Sequence, residues 1–132
     1  MATTTATITL SSTDLLSDEI ALTTTATLTG AGNSTGLTGT SGLGRKTTSS
    51  SSQYILFDAD DYPSGAAKAH KIYLKNTSAS AGEYFTLTHN AEEIGRLYAG
   101  DWAFVPYNGD TDIKLTTSHN DMTFEYILFY EA

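Results

Sequence analysis

The sequence predicts an all-β protein: an antiparallel β-sandwich or jelly roll with a flexible arm rich in Gly, Ser and Thr. Three observations lead to this fold class. The 132 residues include 23 Thr and 8 Tyr, and both types favour strands because they fit a pleated, half-exposed surface. Short apolar or alternating segments recur at close spacing, with turn residues between them. No long segment has the apolar periodicity of an amphipathic helix.

The first 30 residues contain two similar segments, TTTATIT at 3–9 and TTTATLT at 23–29. Thr alternates with apolar residues in both, which is typical of half-buried strands. We therefore expect two strands of one sheet, joined over residues 12–18 by a turn or a single helical turn. Two copies are too few for a repeat protein. The sequence leaves open whether residues 1–30 pair within their own domain, dock on a neighbouring subunit or swap into it.

Residues 31–52 form a low-complexity segment that has little to bury beyond Leu37 and Leu43. Such a composition is typical of a flexible coil. A loop of this length inside a compact domain is uncommon, and such loops are usually functional or disordered. Two interpretations stay open at this point: an arm that is ordered by contact with a neighbouring subunit, and a plain mobile loop.

Residues 53–132 are predicted to form the β-sandwich core. We expect this core to form a single domain with the N-terminal strands. Turns containing Gly, Pro, Asn or Asp separate most of its predicted strands. These strands cover residues 53–58, 70–76, 84–90, 94–98, 102–106, 112–117 and 123–130. The last one is apolar on both faces, with Phe124 and Leu128 on one face and Ile127 and Phe129 on the other. Such a strand is either central in a sandwich or covered by a partner.

The charge balance excludes several classes of function. The chain has 15 acidic and 7 basic side chains, a net charge of -8, and no Cys. Binding to nucleic acid requires Lys and Arg that neutralise phosphates, and a chain without Cys has no disulfide framework or Cys-based zinc site. The N-terminus lacks the basic and apolar regions of a targeting signal, and no apolar run approaches the roughly 20 residues that cross a bilayer. We expect neither nucleic acid nor a membrane as a partner.

One Gly-rich run, residues 39–48, is superficially similar to a phosphate-binding loop. That loop needs Gly directly before Lys, a preceding strand and a following helix. Here Arg45 precedes Lys46 and a serine run follows. We therefore do not expect a phosphate site.

Candidate groups for catalysis or metal binding are scattered. His70, His89 and His119 lie at the ends of predicted strands without a helical metal-ligand spacing, and no Gly-x-Ser-x-Gly nucleophile elbow is present. The acidic turns at 58–61 and 108–112 could hold an incidental calcium ion. Asp and Asn side chains that bond their own backbone explain these turns equally well. We predict no catalytic residue, no cofactor and no enzyme activity.

Aromatic residues are a better indication of function, because they exceed what one small core can hold. Tyr and Trp are enriched where one protein surface packs on another. Trp102 alternates with Phe104, so a core position is the alternative for it. The predicted interface residues are Tyr54, Tyr62, Tyr73, Tyr98, Trp102, Tyr107 and Tyr130, with Arg45 and Lys46 from the arm.

The C-terminal part of the chain also carries a recognisable order of segments. KIYLKNTS at 71–78 and YFTL at 84–87 are followed by IGRLYAGDWAFVP at 94–106, DIKL at 112–115 and FEYILF at 124–129. In this order the chain resembles small β-sandwich structural proteins of tailed bacteriophages, including those of cyanophages. The resemblance covers about residues 70–130, and the Thr-rich front half matches no such pattern.

The resemblance implies a non-enzymatic virion component. Its leading form is a capsid decoration (cement) protein that is made in the host cytoplasm, binds the major capsid protein on the outer surface of the shell and stabilises it. Such a protein would be a homo-oligomer, with a trimer favoured. The alternatives are a tail, head–tail connector or fibre component, and a carbohydrate-binding β-sandwich module.

Overall fold

The computed structural model describes residues 3–49, 52–65 and 68–132. These residues form eleven β-strands and no helix, so none of them belongs to a helix that could cross a membrane. The strands are β1 (Thr5–Ser12), β2 (Ile20–Thr27), β3 (Gly39–Thr40), β4 (Gly44–Thr47), β5 (Gln53–Phe57), β6 (His70–Asn76), β7 (Tyr84–His89), β8 (Glu92–Tyr98), β9 (Trp102–Tyr107), β10 (Ile113–Thr117) and β11 (Thr123–Tyr130).

Two antiparallel sheets pack together as a sandwich. One has four strands in the order β5-β10-β7-β8, and the other has β11, β6 and β9 in a row with both β3 and β4 paired to the free side of β11. The predicted all-β class and antiparallel sandwich are confirmed, while the jelly-roll connectivity stays a prediction. All seven strands predicted between residues 53 and 132 are present, with ends that differ by at most two residues.

The core lies between the sheets and follows from the period-two alternation of the strands. β6 shows this most clearly, because its residues alternate strictly between buried and half-buried positions. Each fully buried Leu, Ile or Phe side chain stabilises the fold by about 1.5–3 kcal/mol. The central cluster consists of Phe57, Ile72, Leu74, Phe85, Leu87, Tyr107, Ile113, Leu115, Met122, Phe124 and Leu128.

The segment predicted to be a flexible arm instead contains two short strands. β3 and β4 pair with β11 of the same chain, with Gly39 opposite Tyr130 and Gly44 opposite Tyr126. A Cβ atom on either glycine would overlap the tyrosine ring beside it. The glycines therefore let the backbone lie close to β11. A Gly-rich composition that is typical of a flexible coil here permits strand pairing.

The N-terminal segments form a β-hairpin, as predicted, and its two strands make a separate two-stranded sheet. Residues of the near-repeat lie opposite each other, so that Ala6 faces Ala26 and Leu10 faces Leu22 on one side of the hairpin. The other side is lined by Thr, and the hydroxyls of Thr7 and Thr25 are 2.8 Å apart. One side of the hairpin is thus largely apolar and the other is polar.

The base of the hairpin is followed by Leu28 and Leu37, both of which are buried. The Leu28 N–H donates to the carbonyl of Thr4 at 2.8 Å, and the Leu37 N–H donates to the carbonyl of Leu28 at 3.1 Å. These bonds join the base of the hairpin to the chain that follows it.

Candidate interaction surface

The outer face of the five-stranded sheet carries an apolar row that crosses three strands. Phe104 on β9, Tyr73 on β6 and Ile127 on β11 lie at paired positions of the register. Lys residues of β6 flank this row: Lys75 lies between Trp102 and Glu125, and Lys71 lies between Pro106 and Phe129. These side chains alternate with core residues along each strand, so they point away from the sandwich interior.

The base of the hairpin lies over this face and leaves an open groove. The groove has a volume of about 500 Å³. We call it the outer groove; it is lined by Thr4, Thr5, Ala6, Thr7, Ile8 and Leu28 on one side, and by Tyr73, Lys75, Trp102, Phe104, Ile127 and Phe129 on the other. Since both sides supply apolar side chains, the groove extends the apolar side of the hairpin onto the sheet.

Beyond its base, the hairpin exposes apolar side chains to solvent. Leu10 and Leu22 lie side by side and are each about half exposed. Leu15 and Leu16, in the turn between β1 and β2, are 74% and 63% exposed. Single exposed apolar residues are ordinary, but a contiguous set marks an interaction site. The hairpin and the outer groove together form such a set.

Charge is divided unevenly between the hairpin and the outer face. Residues 1–44 contain no Lys or Arg, and Asp14, Asp18 and Glu19 give the hairpin turn three acidic groups. The outer face of the five-stranded sheet carries Lys71 and Lys75. In a chain of net charge -8, this face is a locally basic surface.

One acidic side chain on the outer face, Glu125, is held by two partners. The Tyr73 hydroxyl donates to its Oε1 at 3.0 Å, and the Arg45 Nε donates to its Oε2 at 3.1 Å. The hydrogen bond from Tyr73 and then that from Arg45 lower the pKa of Glu125, and Lys75 adds to the effect. Burial and the contact with Glu125 raise the pKa of Tyr73. Arg45 and Tyr73 thus join β4, β6 and β11 across the surface.

Three of the predicted interface residues, Tyr73, Trp102 and Arg45, lie on this outer face. Tyr98 is also exposed, but it lies on β8 of the four-stranded sheet. Lys46 and Tyr54 contact each other, with the Lys46 Nζ 3.9 Å from the centre of the ring. The structure therefore does not bring the predicted residues together in one site.

Two predicted interface tyrosines, Tyr62 and Tyr130, pack on each other with ring centres 5.3 Å apart. Both also pack against the core cluster, where Tyr62 meets Phe57 edge to face at 6.1 Å. They close one margin of the sandwich and are only partly accessible to a partner.

The prediction that Tyr107 is an interface residue is wrong, because Tyr107 is buried with only 4% of its surface exposed. Its hydroxyl donates to the carbonyl of Thr111 at 2.7 Å. Burial raises its pKa to about 12, and the nearby Asp112, Asp58 and Asp110 add to the rise. The prediction ends the strand at Pro106, whereas β9 continues one residue further and turns Tyr107 to the core side opposite His70.

The alternative interpretation, in which Trp102 is a core residue, is wrong. Its side chain is 49% exposed, because β9 is an edge strand and Trp102 lies on the outer side opposite Lys75. Sequence reasoning did not select Phe104, Leu15 and Leu16 as interface residues. The signal for the leucines was present: they are two adjacent large apolar residues in an otherwise polar turn.

His70 and His89 both pack on the ring of Tyr107, with ring centres 6.0 and 6.1 Å from it, but they hydrogen-bond to different neighbours. His70 is fully buried; its Nε2 lies 2.7 Å from the carbonyl of Pro63, and its Nδ1 accepts the N–H of Glu131 at 2.9 Å. His89 Nε2 contacts the Thr111 hydroxyl at 2.5 Å. His70 therefore joins the turn before β6 to the end of β11.

Asp and Asn side chains of the two acidic turns accept hydrogen bonds from nearby backbone N–H groups, as the metal-free interpretation of these turns predicts. Asp58 accepts the N–H of Asp60 at 3.0 Å, and Asn108 accepts that of Asp110 at 3.1 Å. Over residues 3–49, 52–65 and 68–132, no group of three or more His, Asp or Glu side chains is placed to hold a metal ion.

No protein-family model matches this sequence, and comparison with curated proteins finds no match either. The resemblance to bacteriophage structural proteins therefore stays a prediction from the order of segments between residues 70 and 130.

Proposed function

We propose that this protein is a non-enzymatic subunit of a virion: a capsid decoration protein that binds the outer surface of the shell and stabilises it. The observation that supports this proposal best is the apolar surface shared by the hairpin and the outer groove. A β-sandwich with its own complete core has no internal need for this surface, so its use lies in contact with another protein.

The energetics of the surface favour an assembly role. Burial of apolar surface contributes about 25 cal/mol per Å², and a two-stranded hairpin alone is at best marginally stable in water. A partner that covers Leu10, Leu22 and the groove would remove apolar surface from water and hold the hairpin in one position. Such contacts clamp neighbouring subunits without a cofactor or any chemical step.

The charge and the resemblance support the capsid surface as the location. A strongly acidic protein is repelled by DNA and by other acidic particles, which suits the outside of a shell. The proposed partners are the major capsid protein and further copies of the same chain, with a trimer favoured. The protein would be made in the host cytoplasm and then join the virion.

Quantitative mass spectrometry of purified particles tests this proposal. We expect a copy number comparable with that of the shell protein. A few copies per particle would instead indicate a tail, connector or fibre component. Absence of the protein from purified particles would overturn a virion role altogether.

A carbohydrate-binding module is the second candidate, and the exposure of Trp102 favours it. Its indole lies beside Lys75 in an open groove, and a flat aromatic ring with a polar neighbour is suited to a sugar. We would expect glycan binding that Trp102→Ala abolishes and that Tyr98→Ala, on the other sheet, leaves unchanged. Glycan binding of that kind would displace the decoration role as the leading function.

A further inference from the structure

The turn at the far end of the hairpin has the composition of a docking element. We call residues 13–19 the hairpin tip; it combines Leu15 and Leu16 with the acidic side chains of Asp14, Asp18 and Glu19. The Ser12 hydroxyl bonds both the Leu15 N–H and the Asp14 carboxylate, each at 3.2 Å. These bonds order the start of the tip while both leucines stay exposed.

The outer groove has the complementary composition. Its floor is apolar, with Phe104, Ile127 and Phe129, and Lys75 stands at its margin. Lys71 lies four residues away on the same strand, outside the groove, and its Nζ donates to the carbonyls of Ala69 and His70. A pair of leucines flanked by three acids therefore matches an apolar groove bordered by Lys75, in both hydrophobicity and charge.

The tip cannot reach the groove of its own chain. Ala6 and Ile8 of β1 already line that groove, and β1 runs on to Ser12 before the tip begins. A strand rises by about 3.3 Å per residue, so the tip lies roughly 20 Å along the hairpin from Ala6. A return to the groove would break the pairing from Thr5↔Thr27 to Ser12↔Ile20. A second copy of the chain has no such constraint.

We propose that the hairpin tip of one copy docks into the outer groove of a second copy of this chain. Leu15 and Leu16 would cover Phe104, Ile127 and Trp102, and the acidic groups of the tip would approach Lys75. The tip and the groove are different surfaces, so the contact is head-to-tail and closes into a ring when the rotation permits. The proposal specifies the contact for the self-association that is part of the proposed function. It rests on that part alone.

Sedimentation velocity of the full chain over a range of concentrations tests the contact. We expect the wild type to self-associate, and Leu15→Asp with Leu16→Asp to weaken association by at least roughly tenfold, as loss of an apolar anchor does. Both leucines are exposed, so the fold should persist. Ile94→Asp, an equally apolar and exposed position on β8, is the matched control and should associate like the wild type.

A mixing experiment tests the head-to-tail geometry. Trp102→Glu impairs the groove and keeps the tip, while the double leucine variant impairs the tip and keeps the groove. Each alone should be monomeric, and an equimolar mixture should form a 1:1 heterodimer and nothing larger, because one intact tip and one intact groove remain. A mixture that stays monomeric although both variants are folded would overturn the geometry.

Two further outcomes separate this inference from the proposed function. A wild type that is monomeric at every concentration, yet binds purified particles through its tip, would overturn self-docking and leave the decoration role standing. A wild type that forms the head-to-tail oligomer but is absent from particles would support self-docking and overturn the virion role.

Discussion

Gly39 and Gly44 are single residues that decide how a whole segment packs. Each lies where a tyrosine ring of β11 takes the space that a side chain would need; for Gly44 an added Cβ would come within 2.5 Å of Tyr126. We expect Gly44→Ala to destabilise the fold by about 1–3 kcal/mol, the usual effect of overpacking. Urea unfolding midpoints measure this effect.

Gly95 on β8 is the matched control for that substitution, because an added Cβ there meets nothing within 4 Å. Gly95→Ala should be neutral or stabilising by about 0.4–1 kcal/mol, since it restricts the unfolded chain. Equal stabilities of the two alanine variants would contradict the packing of β4 against Tyr126.

Glu131 connects the chain after the hairpin to the sandwich through its carboxylate. Its Oε2 accepts the N–H of Ala31 at 3.1 Å and that of Ala69 at 3.3 Å. The hydrogen bond from Ala31 and then that from Ala69 lower the pKa of Glu131 below its ordinary value of 4.5. A carboxyl group with a lowered folded pKa stabilises the fold above its unfolded pKa, and this stabilisation is lost as the pH falls through the folded pKa.

We therefore expect Glu131→Gln to lower the unfolding temperature near neutral pH and to have a smaller effect around pH 3. Glu92→Gln, at the exposed start of β8, is the control and should leave both temperatures unchanged. Thermal unfolding by circular dichroism at the two pH values measures the difference. A deficit that is the same at both would show that the charge of Glu131 does not contribute.

We expect β6 to be one of the most stable elements and the N-terminal hairpin one of the least stable. β6 pairs with β9 on one side and β11 on the other and buries every second residue. β1 and β2 pair only with each other, and nearly all of β2 is exposed. Backbone groups in such a hairpin open without unfolding of the core.

Hydrogen exchange followed by mass spectrometry should show this contrast in dilute, monomeric protein. We expect the amides of β2 to exchange much faster than those of β6. At concentrations where the chain self-associates, the amides of the hairpin tip should become better protected while those of β8 stay unchanged. Hairpin amides that exchange as slowly as β6 in the monomer would contradict an uncovered hairpin.

The sequence predicts elements well where a strand alternates or is bounded by a clear turn. β6 follows from alternating apolar residues, β11 from a short run that is apolar on both faces, and the hairpin from its near-repeat. β3 and β4 could not be predicted, because glycines that allow contact with Tyr126 and Tyr130 have the same composition as a coil. A local pattern does not reveal which residue will lie across a sheet.

The candidate site was predictable only in part for the same reason. A strand that is apolar on both faces indicates either a central position or a covering partner. The structure gives β11 neighbours on both sides and places Ile127 and Phe129 in the outer groove. Tyr107 was assigned to an interface because aromatic content cannot distinguish a core tyrosine from a surface one. The pairing of Tyr107 with His70 decides its side, and that pairing is a property of the folded sheet.

The whole molecule separates its charges in a way that matters for association. The charged side chains of the hairpin, Asp14, Asp18 and Glu19, are all acidic and lie in its turn. Two of the chain's 7 basic residues, Lys71 and Lys75, lie on the outer side of β6. Opposite surfaces on one chain attract copies head to tail and oppose pairing of like surfaces. In the proposed head-to-tail contact, this local attraction would offset the general repulsion between copies of net charge -8.

Salt should therefore weaken the association of this protein. The Debye length falls from about 10 Å at 0.1 M to about 3 Å at 1 M, which screens the acidic tip from Lys75, while contacts made only by Leu15 and Leu16 would persist or strengthen. We expect the dissociation constant to rise with salt and Lys75→Gln to reduce its salt dependence. Lys114→Gln, on β10 of the other sheet and 3.6 Å from Asp112, should retain the wild-type dependence. Because salt also screens the repulsion between copies of net charge -8, the decisive comparison is that between the variants. A salt dependence that Lys75→Gln leaves unchanged would mean that the acidic tip does not approach Lys75.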